Sequence, residues 1–450
     1  MRAPETLARE LEKLVRGAQA ESRLPSLNAA AFSGGEVLWS EAVGLADVEG
    51  EEEATPEHQY RVASITKTFV AASIFQLRDE GKLDLEDPLS SHVPEAAHGG
   101  PTLRRMLSHL TGLQREPPGE VWEKLEMPST EELLERLGEA EQVLASHEEF
   151  HYSNLAYALL GEVIARASGM PFERYVEQRL LQPIGLEATG WEPTLPARPY
   201  FVEPYSDAVQ QEPDVAMGGT NAAGGLWSTT GDLARWAGFL ADPGPDILAV
   251  ESARQMSGVQ AMVDQEHWTA AHGLGLQLWR KGERVFAGHT GGFPGFLSIV
   301  LWSPKEKAGA VAVTNASAWD KIIEVGLELA DKAAAQLGAE TEPWRPRESP
   351  PDEVVPLLGS WWSEASEYVF SWREGRLQAR IAGEPTVLPP AVFDQEGPDL
   401  WRTVSGRERG EVLRVVRDEE GEIVKLYWAT YPFTRAPEPF GASLRQTPGS

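Results

Sequence analysis

The 450-residue chain reads as an α+β protein: a large domain of helices and antiparallel sheet, followed by a small all-β domain. Three observations predict this. Two strand-like runs precede a long stretch of short helices, several more strand-like runs follow it, and a last series of short strands contains no long helix. Strands at both ends of a helical insertion imply one sheet built from both ends of the chain, and the tight turns between the later strands make it antiparallel. The length calls for two or three domains. An apolar fraction of 42% with 15 tryptophans places them among folded chains.

Taken in order, Thr6 to Ala18 has the spacing of an amphipathic helix with mixed charge outside. Leu27 to Phe32 and Glu36 to Val43 read as strands joined by a hairpin at Ser33-Gly34-Gly35. Val70, Ile74 and Leu77 then repeat at i, i+4 and i+7, so Lys67 to Glu80 reads as a helix stopped by Gly81. Short helices follow, at Thr102 to Ser108, Thr130 to Ala140, Ser153 to Ala167, Pro171 to Leu181 (ending before Pro183) and Leu233 to Leu240. This helical insertion runs over roughly 81–265. Strands return at Gly273 to Trp279, Val285 to Ala287, Gly295 to Trp302 and Gly309 to Asn315, and the helix Ile322 to Leu337 closes the domain, 1–338. After a proline-rich linker, 339–356, strand-like pieces recur over 357–445. They lie at Leu358 to Trp362, Tyr368 to Trp372, Leu377 to Ile381, Thr386 to Leu388, Leu400 to Thr403, Glu411 to Arg417, Ile423 to Ala429 and Tyr431 to Thr434, which fits a small antiparallel barrel or sandwich.

Composition removes several function classes. The net charge of -29, from 69 acidic and 40 basic residues, opposes attachment to nucleic acid or to an anionic membrane. The absence of cysteine excludes disulfides and thiolate catalysis. Met1 to Arg23 lacks the apolar core of a secretory signal, and no run is long enough to span a bilayer, so a soluble cytoplasmic protein is the expectation. No His-Glu-x-x-His pattern or glycine-rich nucleotide loop is present, so neither a metal nor another cofactor is expected.

The chemistry is carried by three short stretches. Ser64-Ile65-Thr66-Lys67 sets a hydroxyl and an amine on one face of a helix start, where unpaired amide N–H groups point outward. Tyr152-Ser153-Asn154 precedes an apolar helix, and His289-Thr290-Gly291-Gly292 lies between two strand-like pieces. Taken singly, each has a plain reading as a helix cap, a turn or a surface histidine. Taken together, they supply what an acylated serine needs. A serine hydroxyl requires a nearby base, and Lys67 serves once burial lowers its proton affinity. Tyr152 can relay a proton, and the backbone N–H groups of Ser64 and Gly292 can hold an oxyanion. Asn154 is suited to an amide of the substrate, and Thr290 and His289 to the opposite wall.

On these three elements, in this chain order, the sequence resembles the serine beta-lactamase and penicillin-binding-protein-like superfamily, within it the class C beta-lactamase and D,D-peptidase/D-aminopeptidase branch. Glu80 to Pro88, Ser108-His109-Leu110-Thr111-Gly112-Leu113 and Tyr152 to Gly161 share in the likeness, which covers about residues 5 to 338. The resemblance implies a beta-lactamase-like antiparallel sheet flanked by helices plus a mainly helical domain. It implies Ser64 as nucleophile, Lys67 and Tyr152 as acid and base, Ser64 and Gly292 as oxyanion donors, and Asn154, His289, Thr290 and Gly291 as substrate contacts. The family's Lys/His-Thr-Gly element has histidine here, where beta-lactamases of the branch usually carry lysine. That leans away from efficient beta-lactam hydrolysis and toward a peptidase or amidase, with an esterase, a weak beta-lactamase or a non-turnover penicillin sensor as alternatives. The expected partners are a small peptide, amide or ester substrate, with a homo-oligomer as an alternative to a monomer. The C-terminal unit is similar to lipocalin-like domains attached to some peptidases of this branch, where an added barrel can narrow the cleft or help assemble oligomers.

Overall fold

The computed structural model describes residues 2–147, 149–317, 319–337, 344–346, 348–383 and 388–441. The chain divides into two compact units, Met1–Glu340 and Thr341–Ser450.

The first unit is organised by a nine-stranded sheet. Its strands are β1 (Ser26–Ser33), β2 (Glu36–Asp47), β3 (Glu52–Glu53), β4 (Ala261–Met262), β5 (Ala270–His272), β6 (Gln277–Lys281), β7 (Arg284–Phe293), β8 (Phe296–Ser303) and β9 (Ala308–Thr314). They lie in the order β3-β2-β1-β9-β8-β7-β6-β5-β4, every pairing antiparallel. The two ends of the chain meet where Ala30 of β1 pairs with Val311 of β9, as expected for a sheet drawn from both ends.

Strands β8 and β9 are apolar at nearly every position because both sheet faces are covered. Ile299, Leu301, Ala310 and Ala312 meet helices α1 (Glu5–Glu21) and α5 (Ile322–Leu337) on one side. Val300, Trp302, Val311 and Val313 join the core of the helical region on the other. That core holds α2 (Thr66–Asp79), α3 (Asn154–Ser168) and α4 (Thr230–Ala241). Residues 66–77 of α2 are all buried, so this helix is enclosed on every side and lacks an amphipathic stripe. Phe69 stacks on Trp236 of α4 at 3.9 Å, and the Trp236 indole donates to Thr68 Oγ1 at 2.8 Å.

Four expectations change. Gly273 to Trp279 is not one strand: β5 ends at His272, β6 begins at Gln277, and Gly275 turns between them with φ +79°. Val285 to Ala287 is only the start of β7, which runs on through His289-Thr290-Gly291-Gly292. The helix from Pro171 does not stop before Pro183. It passes through a π turn at Glu177–Leu181 to Ile184 and ends at Gly185, φ +75°, the wider turn accommodating a residue with no N–H to donate. In the second unit, a strand at Ala391–Gly397 was not expected.

The second unit is an eight-stranded antiparallel sheet of β10 (Gly359–Ser363), β11 (Ser366–Arg373), β12 (Arg376–Ile381), β13 (Ala391–Gly397), β14 (Leu400–Ser405), β15 (Val412–Arg417), β16 (Ile423–Trp428) and β17 (Tyr431–Phe433), in chain order. Trp362 and Thr434 exchange backbone hydrogen bonds at 2.8 and 2.9 Å, which brings the first strand to the end of the last and nearly closes a barrel. Its interior is filled by Trp361, Phe370, Leu377, Phe393, Trp401, Leu413, Leu426 and Trp428. The strand expected at Thr386 to Leu388 falls largely outside the described residues.

Candidate active site

Ser64 sits on a 3-10 turn, Ala63–Ile65, that feeds directly into α2. Ala63 is held at φ +47°, a left-handed conformation that a non-glycine residue adopts only under constraint. One turn into the helix, Lys67 is fully buried, with Nζ 2.9 Å from Ser64 Oγ and 2.5 Å from the carbonyl oxygen of Ala223. Burial holds its amine well below the ordinary lysine value; Glu116 opposes this shift and Arg115 adds to it. A neutral Lys67 can donate to Ala223 and still present a lone pair to the Ser64 hydroxyl.

Tyr152 enters just before α3, its ring 5.1 Å from Lys67 Nζ. Tyr152 is half-buried, and the loss of solvent around its hydroxyl raises the phenol above its usual value against the pull of the Ser64 hydroxyl and Arg115. Tyr152 therefore rests as a proton donor. Ser153 caps α3, accepting from Ala156 N at 3.1 Å and donating to Gln114 O at 2.8 Å. That cap presents Asn154, whose Nδ2 donates to Glu116 Oε1 at 2.7 Å. Its buried Oδ1 has no partner among the described residues and remains free to accept an N–H.

Strand β7 forms the facing wall. Gln277 of β6 pairs with Gly288, and beyond that point β6 has ended, so the β7 edge is open. Thr290 N and Oγ1 both donate to Gln277 Oε1 at 2.9 Å. Main-chain groups two residues apart on a strand point the same way, which aims the N–H of Gly292 out of the open edge. Gly291 explains how close this wall comes to the serine. A Cβ there would lie 2.0 Å from the carbonyl oxygen of Val62 and 2.3 Å from Ser298 Oγ, which itself donates to Val62 O at 2.9 Å.

His289 departs from the sequence expectation. Its side chain is fully buried, does not line the cavity, and packs beneath Tyr152, ring centroids 6.3 Å apart. Its Nδ1 is 2.6 Å from Thr290 O, and burial, with Lys67 nearby, holds it well below the ordinary histidine value. Two further fully buried histidines accompany it. His109 stacks on Tyr152 at 4.2 Å and accepts from Ser153 N at 3.0 Å through Nδ1; His272 lies 4.7 Å from His109 and 6.2 Å from His289. Burial also lowers His109 strongly and brings His272 down to about 4. All three are neutral imidazoles at pH 7.

The structure thus gathers Ser64, Lys67, Tyr152, Asn154, Thr290, Gly291 and Gly292 around one cavity of about 820 Å³ or directly beneath it. Arg115 and Glu116, the charged side chains lining that cavity, were missed in the sequence, as were His272 and Gln277. The only signal was position: Arg115 and Glu116 lie two and three residues beyond the stretch Ser108 to Leu113. No grouping of three or more His, Asp or Glu suited to a metal ion occurs among the described residues.

Comparison with known proteins agrees with this geometry. The Beta-lactamase family matches residues 11–335, and a domain of unknown function (DUF7586) matches residues 350–435. The chain is similar to Beta-lactamase-like protein 2 of Dictyostelium discoideum, 29% identical over 264 residues, covering 53% of this chain and 46% of that protein. It is also similar to the D-alanyl-D-alanine-carboxypeptidase/endopeptidase AmpH of Escherichia coli K12, 29% identical over 287 residues, covering 57% and 71%. The match therefore spans about half the length of the Dictyostelium relative. Among solved structures, the octameric penicillin-binding protein homologue from Pyrococcus abyssi superposes with a TM-score of 0.65 at 22% identity, covering 94% of this chain and 99% of that one. The D-amino acid amidase from Ochrobactrum anthropi SV3, complexed with L-phenylalanine amide, gives 0.64 at 24% identity, covering 74% and 99%. At these identities the two structures speak for the fold alone.

Proposed function

Because this chain belongs to the Beta-lactamase family, within the serine hydrolase superfamily that includes the penicillin-binding proteins, we propose that it cleaves an amide bond through an acyl-enzyme on Ser64, as a peptidase or amidase of the D,D-peptidase or D-aminopeptidase type. The observation that carries the reading is the 2.9 Å contact between Ser64 Oγ and the fully buried Lys67 Nζ, with Tyr152 beside both.

In this reading neutral Lys67 takes the Ser64 proton as Oγ bonds to the substrate carbonyl carbon. The resulting oxyanion lies between the N–H groups of Ser64 and Gly292. Tyr152 donates its proton to the departing amine as the C–N bond breaks, and the Lys67 ammonium returns one to Tyr152. Water then attacks the ester, giving its proton to the same pair, and Ser64 recovers its own as the acid product leaves.

Two features favour an amide with a free amino group over a beta-lactam. The family's lysine position on β7 holds His289, neutral and enclosed, which leaves Arg115 as the cation among the described residues lining the cavity, and that guanidinium lies beside Glu116. Beside Asn154 the cleft offers the carboxylate of Glu116, whose Oε1 takes Asn154 Nδ2 and lies 3.5 Å from Arg115 Nε. We assign Glu116 to a substrate ammonium and Asn154 Oδ1 to a substrate N–H.

Turnover of matched D-aminoacyl amides, their N-acetylated forms and short esters tests this. The expected result is cleavage of the free-amino amides, with Glu116→Gln raising KM on them by about tenfold and leaving N-acetylated substrates little changed. Cleavage of esters alone, with no dependence on the amino group, contradicts the amidase reading.

A further inference from the structure

The cleft combines its reactive groups with a large share of apolar lining. Polar groups, among them Ser64, Arg115, Glu116, Asn154, Gln277 and Thr290, line it. Phe150, Val263, Trp279 and Ile323 are among the apolar side chains that line it and make up a shelf. Val263 and Ile323 are 47% and 39% exposed, so apolar side chains stand open to water within a single cavity of about 820 Å³. Apolar surface gathered in a concave site, continuous with reactive groups, is the mark of a surface that a ligand covers.

The position of the shelf identifies which part of the substrate lies on it. Phe150 is two residues before Tyr152, and its ring is 5.4 Å from His272 of β5. Strand β5 continues to Ala270, which pairs with Trp279 of β6, and the N–H of Val263 donates to Ala270 O at 3.0 Å. Phe150 and Tyr152 both pack on His109, ring centroids 5.8 and 4.2 Å away, so the shelf lies beside the residue assigned to protonate the leaving amine. The departing nitrogen must sit beside that donor, and whatever it carries extends onto Phe150, Val263 and Trp279.

We infer that the shelf is a leaving-group subsite for an aromatic or branched aliphatic group: the amide cleaved has an apolar residue or amine on the nitrogen side of the scissile bond. The shelf sets specificity in the acylation step only. Once the C–N bond is broken, the acyl-enzyme no longer carries the group that occupied it. The inference rests on the acyl-enzyme reading above.

The test is a substrate series with one constant acyl group and leaving groups running from glycine-sized through alanine- to leucine- and phenylalanine-sized amines. The full chain is expected to show kcat/KM at least about tenfold higher for the bulky apolar leaving groups than for the small ones. Val263→Ser and Ile323→Ser, both at exposed positions where folding is not at stake, each shrink that ratio several-fold, while the rate of acyl-enzyme hydrolysis follows the acyl group alone. Equal kcat/KM across the series, or a ratio unmoved in both variants, overturns the inference. Parallel labelling of Ser64 by a fluorophosphonate separates the two failures: labelling without leaving-group preference overturns the subsite alone, and absence of labelling overturns the acyl-enzyme reading and the subsite with it.

Discussion

At the scale of the residue, the site depends on keeping charge out of its interior. Lys67 is a base only because burial disfavours its ammonium form, so acylation is expected to rise with pH through a value below that of an ordinary lysine. The same burial acts on the histidines behind it. His272 has a folded-state value of about 4 against 6.5 when unfolded, so the unfolded chain binds the extra proton first as pH falls. Stability that is fully present above pH 6.5 is therefore lost progressively toward pH 4, by up to about 3 kcal/mol from this one group. Thermal unfolding followed from pH 7.5 to 4 checks this. His272→Phe is expected to flatten the acid side of the profile, and an identical slope in that variant would show that His272 does not set it.

At the scale of the element, the decisive contact is β7 against the turn that carries Ser64. Gly291→Ala places a methyl group on the carbonyl oxygen of Val62 and must push the two apart. Moving Gly292 away from Ser64 by even 1 Å is expected to lower kcat on the order of 100-fold. Steady-state kinetics of a Gly291→Ala protein that unfolds at the same temperature as the wild type decides the point, and unchanged kcat would remove Gly292 from the oxyanion site. This strand also shows where the sequence was opaque. Gly291 and Gly292 have a plain reading as a turn, yet Gly291 is a glycine because a Cβ would strike Val62 O at 2.0 Å, as Gly288 is because one would strike Val300 O at 1.9 Å. The opposite error occurred at Gly273 to Trp279, where an unbroken apolar run concealed a turn that depends on the positive φ of Gly275. Strand β13 escaped because Asp394, Gln395 and Glu396 point to solvent and hide the alternation. By contrast, α2 and α5 were legible from their own periodicity and stops, and with α2 came the Ser64–Lys67 pair, whose spacing is local. Glu116 and His272 reach the cleft from loops and strands remote in sequence, and no local pattern marks such residues.

At the scale of the molecule, the described residues that line the cleft belong to the first unit. Acylation of Ser64 is therefore expected to survive removal of residues 350–450. The second unit is proposed to act on assembly or on substrate choice. Light scattering and substrate profiling of the truncated and full chains test it, and unchanged mass and preference would contradict it. Kinship of that unit with lipocalins remains a proposal beside its match to DUF7586. No helix among the described residues is long and apolar enough to cross a membrane.

The central claim is that Ser64 becomes acylated with Lys67 as its base. Intact-protein mass spectrometry after exposure to a fluorophosphonate or penicillin-type probe, followed by peptide mapping, tests it most directly. The account predicts one adduct per chain, on Ser64, absent from Ser64→Ala and formed at least about 100-fold more slowly in Lys67→Met. Undiminished labelling of Ser64→Ala, or an adduct mapped to another residue, would contradict it.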